Sequence, residues 1–234
     1  MTESDSLRRL LNSYPRSRPP LPAAHAARYL QDYVANREDR ASLVNRAKLA
    51  LEAWMHKQVA RRARPGSILE IGAGTLNHVI YEHAATAYDV VEPFADLWRA
   101  SPHRARVREF YPSIHDVPAA RKYDRIISIA VLEHVEDLPR VLAACRALLA
   151  PGGIVQTAIP SEGGLLWGLA WRLTTSISYR LSTGLPYSPL MRHEHINSAR
   201  EIELLFRHYF TLKHKARFPL PSLHASLYTY FEGC

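Results

Sequence analysis

The sequence predicts an α/β fold, a doubly wound and mostly parallel sheet of seven strands with the last strand antiparallel. Three observations predict it. From Ser67 onward, short apolar runs alternate with helical patterns, the signature of parallel strands joined by helices. The run Ser67-Ile-Leu-Glu-Ile-Gly-Ala-Gly-Thr-Leu-Asn77 reads as a buried strand entering a Gly-x-Gly turn and then a helix. Near the end, Tyr209 to Phe218 and Ser222 to Phe231 read as two further strands, a sixth parallel one and its antiparallel hairpin partner.

The elements follow in order. Met1 to Pro22 predicts a short helix and a proline-rich linker. Ala23 to Asn36 predicts a helix. Ser42 is a suitable N-cap for a longer helix to about Arg62, with Leu43, Ala47, Ala50, Leu51, Trp54 and Met55 at helical spacing. Arg61, Arg62 and Arg64 close it, where cations suit the helix dipole, and Pro65-Gly66 ends it. Strands are then expected over Ile68 to Ile71, Tyr88 to Pro93, Ala105 to Tyr111, Tyr123 to Ala130 and Ile154 to Ile159. The intervening helices are expected over Leu76 to Ala85, Ala95 to Ser101 and Leu138 to Leu149. Asp137 is the N-cap of the last, and Leu138, Val141, Leu142, Cys145, Leu148 and Leu149 form its apolar stripe. Glu162 to Tyr187 reads as an irregular, apolar and aromatic segment. Ser198 caps a helix to about His208 that buries Ile202, Leu205 and Phe206.

Bulk properties narrow the class. A chain of 234 residues is long enough for one sizeable core. The net charge of +8 points to nucleic acid, a membrane surface, an anionic substrate, or simply a solvated basic face. The arginines are spread along the chain, which favours the last. Cys145 and Cys234 suggest neither a disulfide framework nor a zinc site, and fit a reducing, cytoplasmic setting. Met1 to Asp5 is polar and acidic with no apolar run behind it, so no secretory leader is expected. The apolar stretch Leu165 to Leu173 is too short to span a bilayer.

The Gly-x-Gly turn sets the chemistry. Glycine lets backbone approach a ligand closely, and a helix N-terminus behind it would offer unpaired N–H groups. Asn77 stands where a dinucleotide fingerprint wants its third glycine, and no Tyr-x-x-x-Lys pair is present, so a nicotinamide oxidoreductase is disfavoured. Leu69-Glu-Ile-Gly-Ala-Gly-Thr75 resembles motif I of the class I S-adenosylmethionine (SAM)-dependent methyltransferases. Glu92 follows at the end of the second strand. Tyr123-Asp-Arg-Ile-Ile-Ser128 with Val131-Leu-Glu-His-Val135 resembles motif IV, and Leu148-Leu-Ala-Pro-Gly-Gly-Ile154 the family's turn into the fifth strand. Each piece alone is a weak signal, and it is the four in order that carry the resemblance.

The resemblance covers Pro65 to Pro160 well and Ser198 onward in outline. It implies a Rossmann-like core at 65–160, completed by 198–234, with an N-terminal helical extension at 1–64 and an acceptor-site insertion after the fifth strand at 161–197. It implies that Glu70, Gly72, Ala73 and Gly74 cradle the methionine end of SAM, with Glu70 reaching the amino group. Glu92, with Pro93 beside it, would take the ribose hydroxyls, as the acid does in a dinucleotide fold. Ile114 and His115 would meet the adenine, although the sequence departs there from the family's Gly-Asp-Ala form. Ala130 would close the site at the end of the fourth strand. Asp124 reads as structural.

An oxygen acceptor must lose a proton, so a base is sought near the methyl group. His134 and His195 are the candidates, with His193 behind them; each also suits a helix-end contact that caps or orients backbone. No metal is expected, because His193-x-His195 lacks the i, i+4 spacing of a zinc helix and no paired aspartates follow the fourth strand. Trp167, Trp171, Tyr179 and Tyr187 with Arg172, Arg180 and Arg192 suit a ring or sugar and an anion, or the insertion's own small core. Leu165 to Trp171 also has the make-up of a segment lying on a membrane surface, a reading placed below the first. The insertion loosely resembles methyltransferases of sugar, polysaccharide and natural-product pathways. The leading expectation is methyl transfer to a hydroxyl of such a small molecule, by a monomer or homodimer. The alternatives are an RNA or protein methyltransferase using the basic surface, and a non-catalytic SAM-binding protein. Nucleic acid is disfavoured because Ile129-Ala-Val-Leu132 stands where an Asn-Pro-Pro-Tyr-like motif would, and no appended binding module is recognisable.

Overall fold

A computed structural model describes residues 3–29 and 43–234, with backbone alone for 43–50. Three helices precede the sheet: α1 (Glu3–Leu11), α2 (Ala23–Ala26) and α3 (Leu43–Ala60). Then come β1 (Gly66–Ile71), β2 (Ala85–Val91), α4 (Ala95–Arg99), β3 (Glu109–Tyr111), β4 (Tyr123–Ile129), α5 (Leu138–Leu148) and β5 (Leu149–Pro160). The insertion forms α6 (Leu165–Leu173), α7 (Thr175–Thr183) and α8 (Ser188–Glu194). The chain closes with α9 (Ala199–Tyr209), β6 (Leu212–Pro219) and β7 (Ser226–Gly233).

The seven strands lie in the order β3-β2-β1-β4-β5-β7-β6. β7 runs antiparallel to both β5 and β6, and the remaining pairs are parallel, as the sequence predicts. The order reverses between β1 and β4, and that crevice, at the carboxyl ends of the strands, is where α/β sheets bind ligands. One core, under α5 and α9, gathers Leu69, Ile126, Leu142, Ile202, Phe206 and Phe231. The other, under α3, gathers Val59, Ile68, Leu76, Val90, Ile127 and Tyr230. Ile126 and Ile127 are neighbours on β4 yet serve opposite cores, the period of two that a sheet covered on both faces imposes.

Caps were legible in the sequence. Asp137 accepts the Arg140 N–H at the start of α5. Ser198 and Glu201 form a reciprocal capping box on α9, worth about 1 kcal/mol. Ile202, Leu205 and Phe206 are fully buried, as their spacing predicts. Asp124 accepts both the N–H and the hydroxyl of Ser67, at 2.8 and 2.9 Å, tying the starts of β1 and β4 together. That bond lies at the end of the sheet away from the crevice and fits the structural reading.

Three expectations need correction, and a fourth is described only in part. No α-helix spans Leu76 to Ala85; the chain makes only a 3-10 turn at Val79–Tyr81 before β2 begins at Ala85. The segment is instead tied to Arg125 of β4, a fully buried guanidinium. Glu82 meets it at 2.5 and 2.9 Å, and His78 meets Glu82 at 2.9 Å. Val79, Ile80, Asn77 and His78 are weak helix formers, so little local preference holds the segment as a helix. The third strand is shorter than expected, because Arg104–Arg106 winds into a 3-10 turn and only Glu109–Tyr111 pair with β2. Within Glu162 to Tyr187, Leu165–Leu173 and Thr175–Thr183 are helical rather than irregular; apolar side chains on both faces hide the amphipathic contrast that marks a helix. Of the predicted helix from Ala23 to Asn36, Ala23–Ala26 is helical and residues 30–36 lie outside the described ones, as does the Ser42 cap.

Arg125→Met would leave the Glu82 charge buried without its main partner. A loss of about 3–5 kcal/mol is expected by urea unfolding. Burial alone would push the Glu82 carboxyl up, but hydrogen bonds from His78 and Arg125 hold it at about 2. Its contribution is therefore complete above the ordinary carboxylate value of about 4.3 and is lost as pH falls towards the folded value. Acid titration of stability between about pH 4 and pH 2 is expected to be steeper in the wild type than in Glu82→Gln.

Candidate active site

The crevice is framed by the loops after β1, β2 and β4. Gly72 has φ of +68°, and a Cβ there would lie 2.3 Å from Cγ2 of Val131. Glycine is therefore needed both for the backbone conformation and for the close packing of the two loops. Gly74 has φ of +52° and nothing within 4 Å of where its Cβ would project, so the loop is open above it. Ala130, at the end of β4, also has a left-handed φ of +55°, uncommon for a residue with a side chain. Its N–H is held by the Ala158 carbonyl at 2.8 Å.

Glu92 directly follows β2 and is buried. One carboxylate oxygen accepts the Gly74 N–H at 2.8 Å and the other the Phe94 N–H at 3.1 Å. A carboxylate oxygen accepts two hydrogen bonds, so each retains a free lone pair. Glu92 thus holds the glycine loop and keeps capacity for a ligand hydroxyl. Glu70 lies below, on the face of β1 that carries Ile68. Its carboxylate is buried and accepts the Tyr88 hydroxyl at 2.7 Å, and burial pushes its pKa up. The helix N-terminus expected behind the glycines is absent, so the donors here come from the loop itself. Ala73 is buried and Pro93 exposed at the rim. Ile114 and His115 sit on a 3-10 turn capped by Ser113. Ile114 is buried in the α5 core and His115 is exposed.

A second cluster lies over the ends of β4 and β5. His134 and His195 pack edge to face with centroids 4.8 Å apart. Nδ1 of His134 is 2.7 Å from the Glu194 carbonyl oxygen. A carbonyl only accepts, so Nδ1 carries a proton, and in the neutral ring Nε2, 3.7 Å from Oε1 of Glu133, is the nitrogen with the free lone pair. Nδ1 of His195 is 3.1 Å from Oε2 of Glu162, which also accepts the indole N–H of Trp167 at 2.5 Å. An ionised carboxylate likewise only accepts, so Nδ1 of His195 carries a proton and, in the neutral ring, Nε2 is the acceptor nitrogen. The Trp167 ring roofs the pair, stacked on His195 at 6.2 Å and tilted against Tyr228 at 6.0 Å. His193 is apart from this pair, its Nδ1 2.8 Å from the Pro19 carbonyl oxygen.

Sequence reasoning missed the groups that hold these histidines. Glu162 orients His195, and Glu194 meets His134 through both its carbonyl and its carboxylate. Glu133 is almost fully buried beside His134; burial pushes its carboxyl up, and one oxygen has no hydrogen-bond partner. Asn197 donates to the Leu132 and Val135 carbonyls at 2.8 Å each and accepts from Tyr14 at 2.6 Å. It ties the linker after α1 to the turn that carries His134. Carboxylates flanking histidines in sequence, as in His193-Glu-His195, were the available signal, but partners 33 residues apart such as Glu162 and His195 leave none. Among the described residues, no group of three or more His, Cys, Asp or Glu side chains is arranged to hold a metal ion, and no helix is long and apolar enough to cross a membrane.

The methyltransferase domain family matches residues 41–209. No curated protein matches the chain. Among solved structures, the N-methyltransferase NodS from Bradyrhizobium japonicum WM9 with S-adenosyl-L-homocysteine is similar, with a TM-score of 0.55 at 14% identity, covering 100% of this chain and 98% of that one. A second is 1,6-didemethyltoxoflavin-N1-methyltransferase from Burkholderia thailandensis, with a TM-score of 0.56 at 19% identity, covering 92% of this chain and 91% of that one. A third is an O-methyltransferase family protein from the same organism, with a TM-score of 0.57 at 14% identity, covering 99% and 69%. These likenesses are of fold; the family match spans most of the sequence. With that match, the glycine loop and acid at the crevice, and a strand order typical of the class, the chain belongs to the methyltransferase domain family, as a class I SAM-dependent methyltransferase.

Proposed function

We propose that this methyltransferase acts on a hydroxyl of a small polar molecule, such as a sugar, a glycan precursor or a natural product, held beneath the insertion. The observation that carries this reading is the His134 and His195 pair. Each imidazole has its Nδ1 proton fixed by an acceptor, a carbonyl for His134 and a carboxylate for His195, and so offers a basic Nε2. A hydroxyl needs such a base, whereas a neutral amine already carries a lone pair.

Bound SAM supplies the electrophilic methyl carbon. Gly72, Ala73, Gly74 and the buried Glu70 form the cradle for its methionine end in this reading, and Ala130 bounds it. The free lone pairs of Glu92 fit the two ribose hydroxyls, with Pro93 at the rim. The turn Ile114–Asp116 flanks the adenine side, where the exposed His115 is the group available to a ligand and the buried Ile114 is not. His195 takes the acceptor proton at Nε2, and Glu162 stabilises the imidazolium that results. His134 positions the acceptor against it. Trp167 and Tyr228 exclude water and offer apolar faces to a ring.

Two outcomes are expected. Glu92→Ala should weaken S-adenosyl-L-homocysteine binding by about 10- to 100-fold by calorimetry, the loss of charge-assisted hydrogen bonds to the ribose. His195→Asn should leave that binding intact and lower kcat by roughly 10²- to 10⁴-fold on the acceptor found by screening hydroxylated metabolites and sugar nucleotides with methyl-labelled SAM. Turnover confined to amine acceptors and unchanged in His195→Asn would overturn the hydroxyl assignment.

A further inference from the structure

The insertion that roofs the histidine pair has two unlike faces. On a helix of 3.6 residues per turn, Trp167 and Trp171 of α6 share one side, and Leu165, Leu169 and Leu173 share the other with Arg172. The tryptophans face inward, onto His195 and Tyr228 and onto Tyr187. The leucines are 67%, 54% and 64% exposed. α7 repeats the pattern, with Tyr179 buried inward while Ile177 and Leu181 are 50% and 84% exposed on the opposite side. Five large aliphatic side chains, spaced every four residues, thus stand in solvent on adjoining helices. Scattered exposed leucines need no explanation, but a contiguous set does.

The charged residues of α6 and α7 themselves have one sign. From Gly163 to His193 the sequence contains Arg172, Arg180 and Arg192 and no acidic residue. All three arginines are exposed, and the Arg172 guanidinium lies 4.5 Å over the Trp171 ring. Apolar aliphatics beside arginines and tryptophan, with no carboxylate on α6 or α7, match the chemistry of a helix lying in the interface of an anionic bilayer. Each arginine near such a surface contributes about 1 kcal/mol. A second copy of this chain is a poorer occupant, because two such faces would oppose arginine to arginine.

We propose that the outer face of α6 and α7 docks onto an anionic membrane surface, with the five aliphatic side chains among the acyl chains and the arginines at the lipid phosphates. The histidine pair then sits directly behind the docked helices. If the acceptor reading holds, the acceptor is presented at the bilayer, as the headgroup of a lipid-linked molecule. The docking itself does not depend on that reading.

The test is flotation of the full chain with vesicles of roughly 70% phosphatidylcholine and 30% phosphatidylglycerol, and with vesicles of phosphatidylcholine alone. Wild type is expected to float with the mixed vesicles and to be released by high salt. Leu169→Ser with Leu181→Ser, and separately Arg172→Gln with Arg180→Gln, should each lower the partition coefficient by about tenfold or more. S-adenosyl-L-homocysteine binding and the melting temperature should be unchanged in both double variants, which separates lost docking from lost folding. No flotation of wild type, or equal flotation of all three proteins, would overturn the proposal. So would light scattering that shows a wild-type dimer abolished by the leucine changes, without flotation, since the face would then join two copies.

Discussion

A single buried guanidinium sets the form of the cofactor side of this protein. Arg125 sits on the central strand β4 with no exposure, and it hydrogen-bonds Glu82, Gln156 and the Val59 carbonyl. Three layers therefore meet on one charge: the β1–β2 connection, the sheet and α3. A charge taken out of water must be matched or the fold does not hold. The match is made by folding residues 72–84 inward as turns rather than outward as a helix. The glycine loop lies at the head of that same segment, so the pairing beneath it fixes where Gly72 and Gly74 stand.

The crevice above depends on contacts of the same directness. Gly72 lets the loop after β1 press on Val131 of the loop after β4, and Glu92 locks Gly74 from the neighbouring strand. On the far side, Asn197 binds the turn bearing His134 from within, and the linker after α1 closes over it through Tyr14 and Arg16. Arg16 also pairs with Glu201 of the α9 capping box at 2.6 Å. The N-terminal segment is thus part of the wall of the site. Rigid backbone at the strand ends and side chains held from behind are what a displacement at carbon needs, since positioning supplies much of its acceleration.

The insertion presents two unlike faces on its short helices. Its inner aromatic face encloses the histidines, and its outer aliphatic face is left in water. A helix apolar on both sides is stable only when something covers both.

The sequence by itself determined the sheet, the α5 and α9 caps and the family, because these rest on local rules: period-two burial, capping residues, and a glycine turn after a strand. Glu92 and the glycines were likewise legible, since their positions follow from strand ends. What only the tertiary structure decided was set by partners distant in the chain. The seating of the turns over 76–84 depends on Arg125, 43 residues beyond Glu82. The proton positions on His134 and His195 follow from Glu194 and Glu162, and the helices of the insertion carry apolar residues on both faces, which erases the periodicity that would announce them. Local pattern records what a residue prefers, and long-range charge pairing and packing decide whether that preference is met.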